Sequence, residues 1–374
     1  MDFIPYGKQS IDEVDIQAVV KVLQSDFLTT GPKIQEFENK ISEYTSASYS
    51  IAVANGTAAL HLASLILLQP NDKVLTTPNS FLATSNSILY VGAIPIFVDI
   101  CEDGNIDLEL CEEYLKKDNS IKALYGVHFS GNPLNQNKLK HLKETYNIKI
   151  LEDCAHSLGA SFDGIQAGSC QNSDCSILSF HPVKHITTGE GGAITTNDKT
   201  IYEKLLILRA HGMIKTPDMK PWEYEMRELG FNYRITDFAC ALGISQFAKL
   251  DNFIKRRKEI AKIYDESFAN TIIKPLYPFS ENSSYHLYVV SVDFTKLHLS
   301  KEELFIQMRE ANIGLQLHYI PINKQPYYKS LGYGDEKNQT MDKYYEECFS
   351  LPMFPSLKDS EQTYVINKLL EFLV

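Results

Sequence analysis

Two short apolar strands and the turn between them make up the stretch Ser176-Ile-Leu-Ser-Phe-His-Pro-Val-Lys-His-Ile-Thr-Thr-Gly-Glu-Gly-Gly-Ala-Ile-Thr-Thr-Asn197. The turn contains Pro182, Lys184, two adjacent hydroxyls and a glycine-rich segment. Because Lys184 lies between two strands that we expect to be buried, desolvation would disfavour its ammonium form and favour an amine nucleophile. The alternative is an ordinary surface lysine, which is the commoner case for a single loop lysine.

The length and charge of the chain indicate a globular protein of two domains. Its 374 residues are 44% hydrophobic and 22% charged, and a chain of this length is too long for one simple core. The formal net charge is -11, and the lysines and arginines are scattered along the sequence. This distribution argues against a nucleic acid or an anionic membrane as a partner.

Three features of the sequence bear on its cellular compartment. No apolar run is long enough to cross a membrane, and residues 1–7 lack the basic and apolar regions of a signal peptide. The seven cysteines are odd in number and form no Cys-x-x-Cys pair, so they predict neither a disulfide framework nor a zinc site. Together these features predict a cytoplasmic protein without a metal ion.

Upstream of the quoted stretch, short apolar runs alternate with helix-length segments. Strands that lack a polar alternation and alternate with helices predict an α/β fold, with a mostly parallel sheet covered on both faces. Sites in such sheets lie at the carboxyl ends of the strands. The predicted strands are 50–54, 73–77, 94–100, 123–129, 148–153 and 175–180, and the predicted helices include 11–25, 33–44, 57–68, 81–91 and 135–146.

Beyond residue 230 the pattern becomes helical and then mixed. The patterns there predict one long helix or a broken pair, and then a tail of strands and helices. No Pro/Gly/Ser-rich linker marks a boundary. We predict a large domain at 1–250 and a smaller α+β domain at 251–374, with the N-terminal helix as a candidate for packing on the smaller one. The predicted elements are a helix or pair at 235–268, strands at 286–294 and 314–319, and helices at 301–311 and 359–372.

The segment Asn55-Gly-Thr-Ala-Ala59 connects a predicted strand to an apolar helix. Gly56 allows a ligand to approach the backbone closely, and Thr57 can cap the helix. The exposed amides and the helix dipole would together bind a phosphate group. Plain helix capping is an equally good interpretation of this segment taken alone.

The predicted strand 148–153 ends in two acids, Glu152 and Asp153. A carboxylate in this position can pair with a protonated pyridine nitrogen, which makes a pyridoxal ring an electron sink. Neighbouring side chains of a strand point to opposite faces, so only one of the two acids can reach a site there. A helix-capping acid is the alternative interpretation.

Other candidate side chains lie in nearby loops. Phe81 follows a strand-to-helix turn and could stack on a flat ring, although core packing is the better interpretation from spacing alone. The Ser179 hydroxyl could bind a phosphate or simply bond to the backbone. The turn at 229–237 offers the amide of Asn232 and the guanidinium of Arg234, or else caps the helix that follows it.

Taken together, these segments resemble the DegT/DnrJ/StrS family of pyridoxal-phosphate-dependent nucleotide-sugar aminotransferases. The resemblance extends over nearly the whole chain, from residue 28 to residue 321. It implies an aspartate aminotransferase-like fold, which is fold type I of the pyridoxal-phosphate-dependent transferases. The motifs that carry it are Glu152-Asp-Cys-Ala-His156, Ser179-Phe-His-Pro-Val-Lys184, Gly189-Glu-Gly-Gly192 and Asn232-Tyr-Arg234.

The resemblance also implies a role for each candidate residue. Lys184 would carry pyridoxal 5'-phosphate covalently, and Asp153 would pair with the pyridine nitrogen. An amide reaching the neighbouring subunit's cofactor implies a homodimer with shared active sites. The other contacts implied are stacking by Phe81, the ring's phenolic oxygen for His156, the phosphate for Gly56, Thr57 and Ser179, the neighbouring phosphate for Asn232, and the sugar for His318 and Tyr319. Apart from the resemblance, Arg234 is a candidate to bind the donor carboxylate.

Within the family, residues 102–107, 127–133 and 318–328 are similar to the pseudaminic acid branch. Members of that branch move the amino group of L-glutamate to carbon 4 of a UDP-linked 4-keto-6-deoxy-N-acetylhexosamine. The first alternative is an aminotransferase for another keto-sugar, dTDP-linked or D-configured. A sugar dehydratase of the same fold would carry histidine in place of Lys184, and a non-catalytic cofactor-binding regulator would leave the complete set of candidate residues unexplained.

Overall fold

The computed structural model of the protein describes residues 2–373. The helices of this part of the chain are α1 (Glu13–Leu23), α2 (Pro32–Thr45), α3 (Gly56–Leu67), α4 (Ala83–Tyr90), α5 (Leu108–Lys117), α6 (Gln136–Tyr146), α7 (Lys199–Arg209), α8 (Asp237–Phe247), α9 (Leu250–Phe268), α10 (Lys301–Glu310), α11 (Pro326–Ser330), α12 (Gln339–Glu347) and α13 (Asp359–Leu373). The strands are β1 (Tyr49–Val53), β2 (Lys73–Thr76), β3 (Ile94–Phe97), β4 (Ile121–Val127), β5 (Lys149–Asp153), β6 (Ser161–Phe162), β7 (Ile165–Gln166), β8 (Cys175–Ser179), β9 (Gly192–Thr196), β10 (Met213–Ile214), β11 (Glu225–Met226), β12 (Lys274–Pro275), β13 (Tyr288–Ser291) and β14 (Cys348–Leu351).

Seven strands form the central sheet in the order β1-β9-β8-β5-β4-β2-β3. All neighbours are parallel except β9, which is antiparallel to both β1 and β8. The strands are buried along most of their length, as expected for a sheet with helices on both faces. This architecture confirms the predicted α/β class with a mostly parallel sheet.

The quoted stretch forms the β8–β9 hairpin, in which Ser179 pairs with Gly192. Gly192 also pairs with Val53 at the end of β1. A Cβ atom added to Gly192 would lie 2.5 Å from the carbonyl carbon of Asn55. The glycine therefore allows the start of α3 to lie directly against the hairpin.

The prediction of a strand at 314–319 is wrong. Its backbone makes contacts with two different partners instead of one continuous ladder. The Gly314 amide donates to the Ile4 carbonyl at 2.8 Å, whereas Gln316 exchanges hydrogen bonds with Ser350 of β14. The apolar alternation in this segment therefore reflects packing of a loop. Residues 235–268, for which one helix or two were predicted, form the pair α8 and α9.

The C-terminal part of the chain has a core of its own. Helices α9, α10 and α13 pack against a three-stranded antiparallel sheet of β12, β13 and β14. Helix α9 contributes to two cores: Leu250 and Ile254 pack with the sheet domain, and Tyr264 and Phe268 pack with the C-terminal core. The division into 1–250 and 251–374 stays a prediction; it falls after the first residue of the continuous helix α9.

The N-terminal helix α1 packs on α8. Asp15 is fully buried and accepts hydrogen bonds from Ser245, Gln246 and Lys249. The segment before α1 reaches the C-terminal core instead, through Ile4. No helix among residues 2–373 is both long and apolar enough to cross a membrane.

Candidate active site

A cavity of about 690 Å³ lies at the carboxyl ends of the parallel strands. Loops that follow parallel strands meet at one edge of a sheet, which explains why distant segments converge there. A cleft of about 790 Å³ between α1, α2 and α8 contains none of the predicted site residues. Nine of the eleven predicted residues line the first cavity: Gly56, Thr57, Phe81, Asp153, His156, Ser179, Lys184, His318 and Tyr319.

One end of the cavity is formed by the first turn of α3. The Asn55 side chain caps this helix by accepting a hydrogen bond from the Ala58 amide at 2.8 Å. The amides of Gly56 and Thr57 come before Ala58 in the first turn of α3. They have no acceptor within the helix, as is general for the first amides of a helix. Ser179 lies close by, since a Cβ atom on Gly56 would be 3.2 Å from the Ser179 Cβ. These groups together can bind an anion such as a phosphate.

Asp153 is the last residue of β5 and is buried. Burial raises the pKa of its carboxyl group, while a hydrogen bond from Thr84, the Ala155 amide and the charge of Lys184 oppose that rise. The Thr84 hydroxyl donates to Oδ2 at 2.7 Å, and the Ala155 amide donates to Oδ1 at 3.1 Å. The two bonds fix the orientation of the carboxylate at the edge of the cavity.

Glu152 lies on the opposite face of the sheet, away from the cavity. It is buried and accepts hydrogen bonds from Gln136 and Ser173. His128 Nε2 lies 2.9 Å from its Oε2. These contacts place Glu152 in a buried polar cluster. Its position on the face opposite Asp153 follows from the alternation of side chains along a strand.

Lys184 lines the cavity in the turn that follows β8. Burial lowers the pKa of its amine from 10.5 to about 8; the charge of Asp153 opposes this shift, and that of Arg257 adds to it. A sizeable fraction of the amine is therefore neutral near neutral pH. A neutral lysine amine is a nucleophile and a proton acceptor.

Two histidines, His286 and His156, lie near this lysine. The His286 Nε2 lies 3.4 Å from Lys184 Nζ, and the His286 ring lies 4.4 Å from the His156 ring, centre to centre. His156 Nε2 is hydrogen-bonded to the Tyr319 hydroxyl at 3.0 Å. Burial and the charge of Lys184 hold the pKa values of His156 and His286 well below the ordinary range, so both rings are neutral.

His318 and Phe81 lie at the side of the cavity nearest Tyr319. His318 is buried, and its Nδ1 is hydrogen-bonded to the Ser350 hydroxyl at 2.8 Å. Burial lowers the pKa of His318 to about 3. Phe81 is 60% exposed, and its ring centre lies 6.3 Å from that of Tyr319. A ligand in the cavity can therefore cover a face of Phe81 that the chain itself leaves open.

The remaining predicted residues, Asn232 and Arg234, do not line the cavity. Asn232 is exposed, and Arg234 is partly buried. The residue between them, Tyr233, accepts a hydrogen bond from the Ala54 amide just before α3. The turn thus lies beside the anion-binding end of the site but on its outer side.

Sequence reasoning missed several side chains that complete the site. Thr84 fixes Asp153, His286 contacts Lys184, and Tyr6 lines the cavity with its ring 5.1 Å from that of His318. Thr84 lies in a predicted helix, and His286 begins a predicted strand. The sequence around Thr84 and His286 does not indicate their roles, because each contacts a residue that is far away in the chain.

The residues present fit pyridoxal phosphate in three respects. An amine with a lowered pKa suits an aldehyde, and the helix start with its nearby serine suits a phosphate. A buried carboxylate suits a protonated pyridine nitrogen. The His156 Nδ1 is buried without a hydrogen-bond partner within residues 2–373, so that ring retains a polar atom for a ligand.

Comparisons with known proteins agree with a site for pyridoxal phosphate. The model of the DegT/DnrJ/EryC1/StrS aminotransferase family matches residues 9–370. A Campylobacter jejuni protein named UDP-4-amino-4,6-dideoxy-N-acetyl-beta-L-altrosamine transaminase is 39% identical over 373 residues, which cover 99% of this chain and 97% of that protein.

Two solved structures are similar to the whole chain. Helicobacter pylori PseC, an aminotransferase involved in the biosynthesis of pseudoaminic acid, superposes with a TM-score of 0.93 at 29% identity, covering 100% of this chain and 99% of that one. The PLP form of the putative sugar aminotransferase Spr1654 from Streptococcus pneumoniae has a TM-score of 0.90 at 30% identity, with 100% of both chains covered.

The titration of Lys184 is directly measurable. In protein freed of cofactor, we expect Lys184 to react with an acylating reagent with a midpoint near pH 8, because its folded pKa is about 8 and the neutral amine accumulates above that pH. Mass spectrometry of peptides from a pH series gives the midpoint. An unstructured peptide that contains one lysine serves as the control, with a midpoint near the ordinary value for lysine, about 10.4. A Lys184 midpoint equal to that of the peptide would contradict the desolvated environment.

Gly192→Ala tests the contact between the hairpin and α3. The added methyl group would lie 2.5 Å from the Asn55 carbonyl carbon, so the start of α3 must move. We expect the affinity for pyridoxal phosphate to fall by ~10-fold or more, as a fluorescence titration would measure, because the anion-binding amides shift. Ala193→Gly, which relieves no contact of this kind, is the matched control on the same strand. Unchanged affinity in Gly192→Ala would show that α3 tolerates the shift.

Proposed function

The chain belongs to the DegT/DnrJ/EryC1/StrS aminotransferase family, and we propose that it transfers the amino group of L-glutamate to carbon 4 of a UDP-linked 4-keto-6-deoxy-N-acetylhexosamine, using pyridoxal 5'-phosphate. The named Campylobacter jejuni relative and the likeness to PseC support this substrate class. They also support a role in pseudaminic acid biosynthesis.

One observation carries the proposal: the Lys184 amine, with its lowered pKa, shares one cavity with the Asp153 carboxylate and the start of α3. When bound, pyridoxal phosphate supplies an electron sink next to the carbon that bears the amino group. Asp153 would keep the pyridine nitrogen protonated by ion pairing, and Thr84 holds the Asp153 carboxylate in its orientation. Phe81 would cover one face of the ring, and His156 would lie near its phenolic oxygen.

Lys184 also moves the proton that the reaction requires. Its neutral amine, Nζ, would take the proton from the carbon of glutamate that bears the amino group and would later return a proton within the same cavity. The imidazoles of His156, His286 and His318 have lowered pKa values, so they are weaker bases than the Lys184 amine. Gly56, Thr57 and Ser179 hold the phosphate in place while Lys184 is free to move.

The sugar would bind at the side of the cavity that His318 and Tyr319 line. His318 is buried and Tyr319 is partly buried, and the hydrogen bond between Tyr319 and His156 links the sugar side to the cofactor side. Arg234 is the proposed seat of the donor carboxylate. The guanidinium suits a carboxylate because it can make two parallel hydrogen bonds.

We propose a homodimer with shared active sites, in which Asn232 reaches the phosphate of the partner's cofactor. The exposed position of Asn232 beside the start of α3 supports this arrangement. So do four large apolar side chains near the turn that are 60% or more exposed, since such groups cluster at interfaces. They are Trp222, Tyr224, Met226 and Leu229. All seven cysteines carry free thiols, which suits the proposed location in the reducing cytoplasm.

The donor half of the reaction can be followed without the sugar. L-glutamate should remove the absorbance of the aldehyde form of the cofactor in the wild-type protein. Lys184→Arg should slow this conversion by ~10⁴-fold or more, because arginine keeps the charge but supplies no neutral amine. Lys199→Ala is the surface control. A wild-type protein that binds the cofactor but does not respond to glutamate would favour a non-catalytic regulator.

The acceptor is identified by product analysis. With the amino form of the cofactor, a panel of UDP- and dTDP-linked 4-keto-6-deoxy sugars should give one aminated UDP-N-acetyl sugar, with the new amine on carbon 4 as read by NMR. Preference for a dTDP-linked or D-configured member would replace the proposed substrate. Loss of a hydroxyl without amination would indicate a dehydratase.

Shared sites are tested by hybrid dimers. Lys184→Ala and Asn232→Asp chains, each with its own tag, are co-expressed and purified on both tags. Each parent should be nearly inactive, the second because a carboxylate repels the phosphate. The hybrid should recover about half of the wild-type rate, since one of its two sites combines an intact lysine with an intact amide. A hybrid as inactive as its parents would mean that each site is built within one chain.

A further inference from the structure

The His286 side chain lies within hydrogen-bonding distance of the reactive amine, and no motif of the sequence singles it out. Its Nε2 lies 3.4 Å from Lys184 Nζ, and it is the one hydrogen-bond partner of that amine within residues 2–373. Both side chains line the same cavity. We propose that His286 positions the free amine of Lys184 by accepting a hydrogen bond from it, an inference that rests on the proposed function for its role in turnover.

Arg257 anchors the backbone of the segment that carries His286. Arg257 of α9 is fully buried, and its Nη1 donates to the carbonyl groups of Tyr285, His286 and Met353 at 3.2, 3.1 and 3.0 Å. One guanidinium thus ties the segment that carries His286 to the segment after β14. The ring itself packs against His156. Together these contacts leave the imidazole little freedom to turn away from the lysine.

The protonation state of His286 suits an acceptor. Burial and the nearby charge of Lys184 hold its pKa well below the ordinary range, so the ring stays neutral at physiological pH. A neutral imidazole with the proton on Nδ1 directs the lone pair of Nε2 at the amine. An acceptor in this position stabilises the ammonium form of Lys184 and aims its protons in one direction.

This contact matters while the amine is free, because a long lysine side chain has many rotamers and only some of them reach the reacting carbon. A fixed acceptor selects a few of these rotamers. The charges that shift the pKa of Lys184 are the Asp153 carboxylate of β5 and the Arg257 guanidinium of α9. The histidines on which its own charge acts are His156, His181, His185, His286 and His318. His286 is the member of this set within hydrogen-bonding distance of Nζ.

The first test uses cofactor-free protein and does not depend on the proposed function. His286→Phe keeps a flat ring against His156 but removes the acceptor. If this variant does not fold, His286→Leu is used in its place. The midpoint of Lys184 acylation should fall by about one pH unit, because the ammonium form loses a hydrogen bond. His286→Gln, whose amide oxygen can accept the bond, should restore the midpoint to near the wild-type value.

The matched control is His185→Gln. His185 is equally buried, and its ring centre lies 5.6 Å from that of His286, but its Nε2 bonds to the Ser284 carbonyl and not to Lys184. The midpoint of Lys184 acylation in this variant should match that of the wild type. An unchanged midpoint in both His286→Phe and His286→Leu overturns the proposal. So does an equal shift in His185→Gln, because any buried imidazole would then suffice.

The second test concerns the rate. With cofactor bound, His286→Phe should react with glutamate ~100-fold more slowly than the wild type, while its affinity for pyridoxal phosphate changes by less than about threefold, because His286 acts on the amine and not on the phosphate. His286→Gln should recover most of the rate. A wild-type protein inert to glutamate would count against the proposed function alone. An active wild type with an equally fast His286→Phe would overturn the positioning role.

Discussion

The site depends on the removal of the Lys184 amine from water. An ammonium group buried among neutral side chains loses hydration, so its pKa falls to about 8 and the neutral amine becomes accessible. One carboxylate, Asp153, lies near enough to oppose this effect. The balance leaves a lysine that is neither a fixed cation nor fully neutral at physiological pH. A catalytic amine that must both attack a carbonyl and carry a proton requires that intermediate state.

The sheet topology brings the other groups to this lysine. Because β1, β4, β5 and β8 run in the same direction, their carboxyl ends place the start of α3, Asp153 and Ser179 at one edge. The antiparallel β9 closes the hairpin and presents Gly192 to the backbone of Asn55. The C-terminal part then completes the cavity with His286, His318 and Tyr319. The site is therefore formed between the parallel sheet and segments that follow residue 280.

Much of the fold and of the site could be predicted from the sequence. Uninterrupted apolar runs alternating with helical periods indicated the parallel sheet, and Lys184 and Asp153 stand in motifs that are contiguous in the chain. The strand predicted at 314–319 was wrong because backbone pairing depends on what lies alongside, and two different segments lie there. Thr84 and His286 could not be found, since each acquires its role from a residue at least 69 positions away in the sequence.

The sequence by itself determined the element order, the α/β class and the side chains available for chemistry, because periodicity and local motifs are properties of neighbouring residues. Only the tertiary structure decided which of the two acids, Glu152 or Asp153, faces the cavity together with Lys184. It also decided that the Lys184 side chain is partly buried with its amine desolvated, that Arg257 anchors the backbone of His286, and that Asn232 remains outside the cavity of its own chain. These are questions of solvent exclusion and distance, and both depend on contacts between residues far apart in the chain.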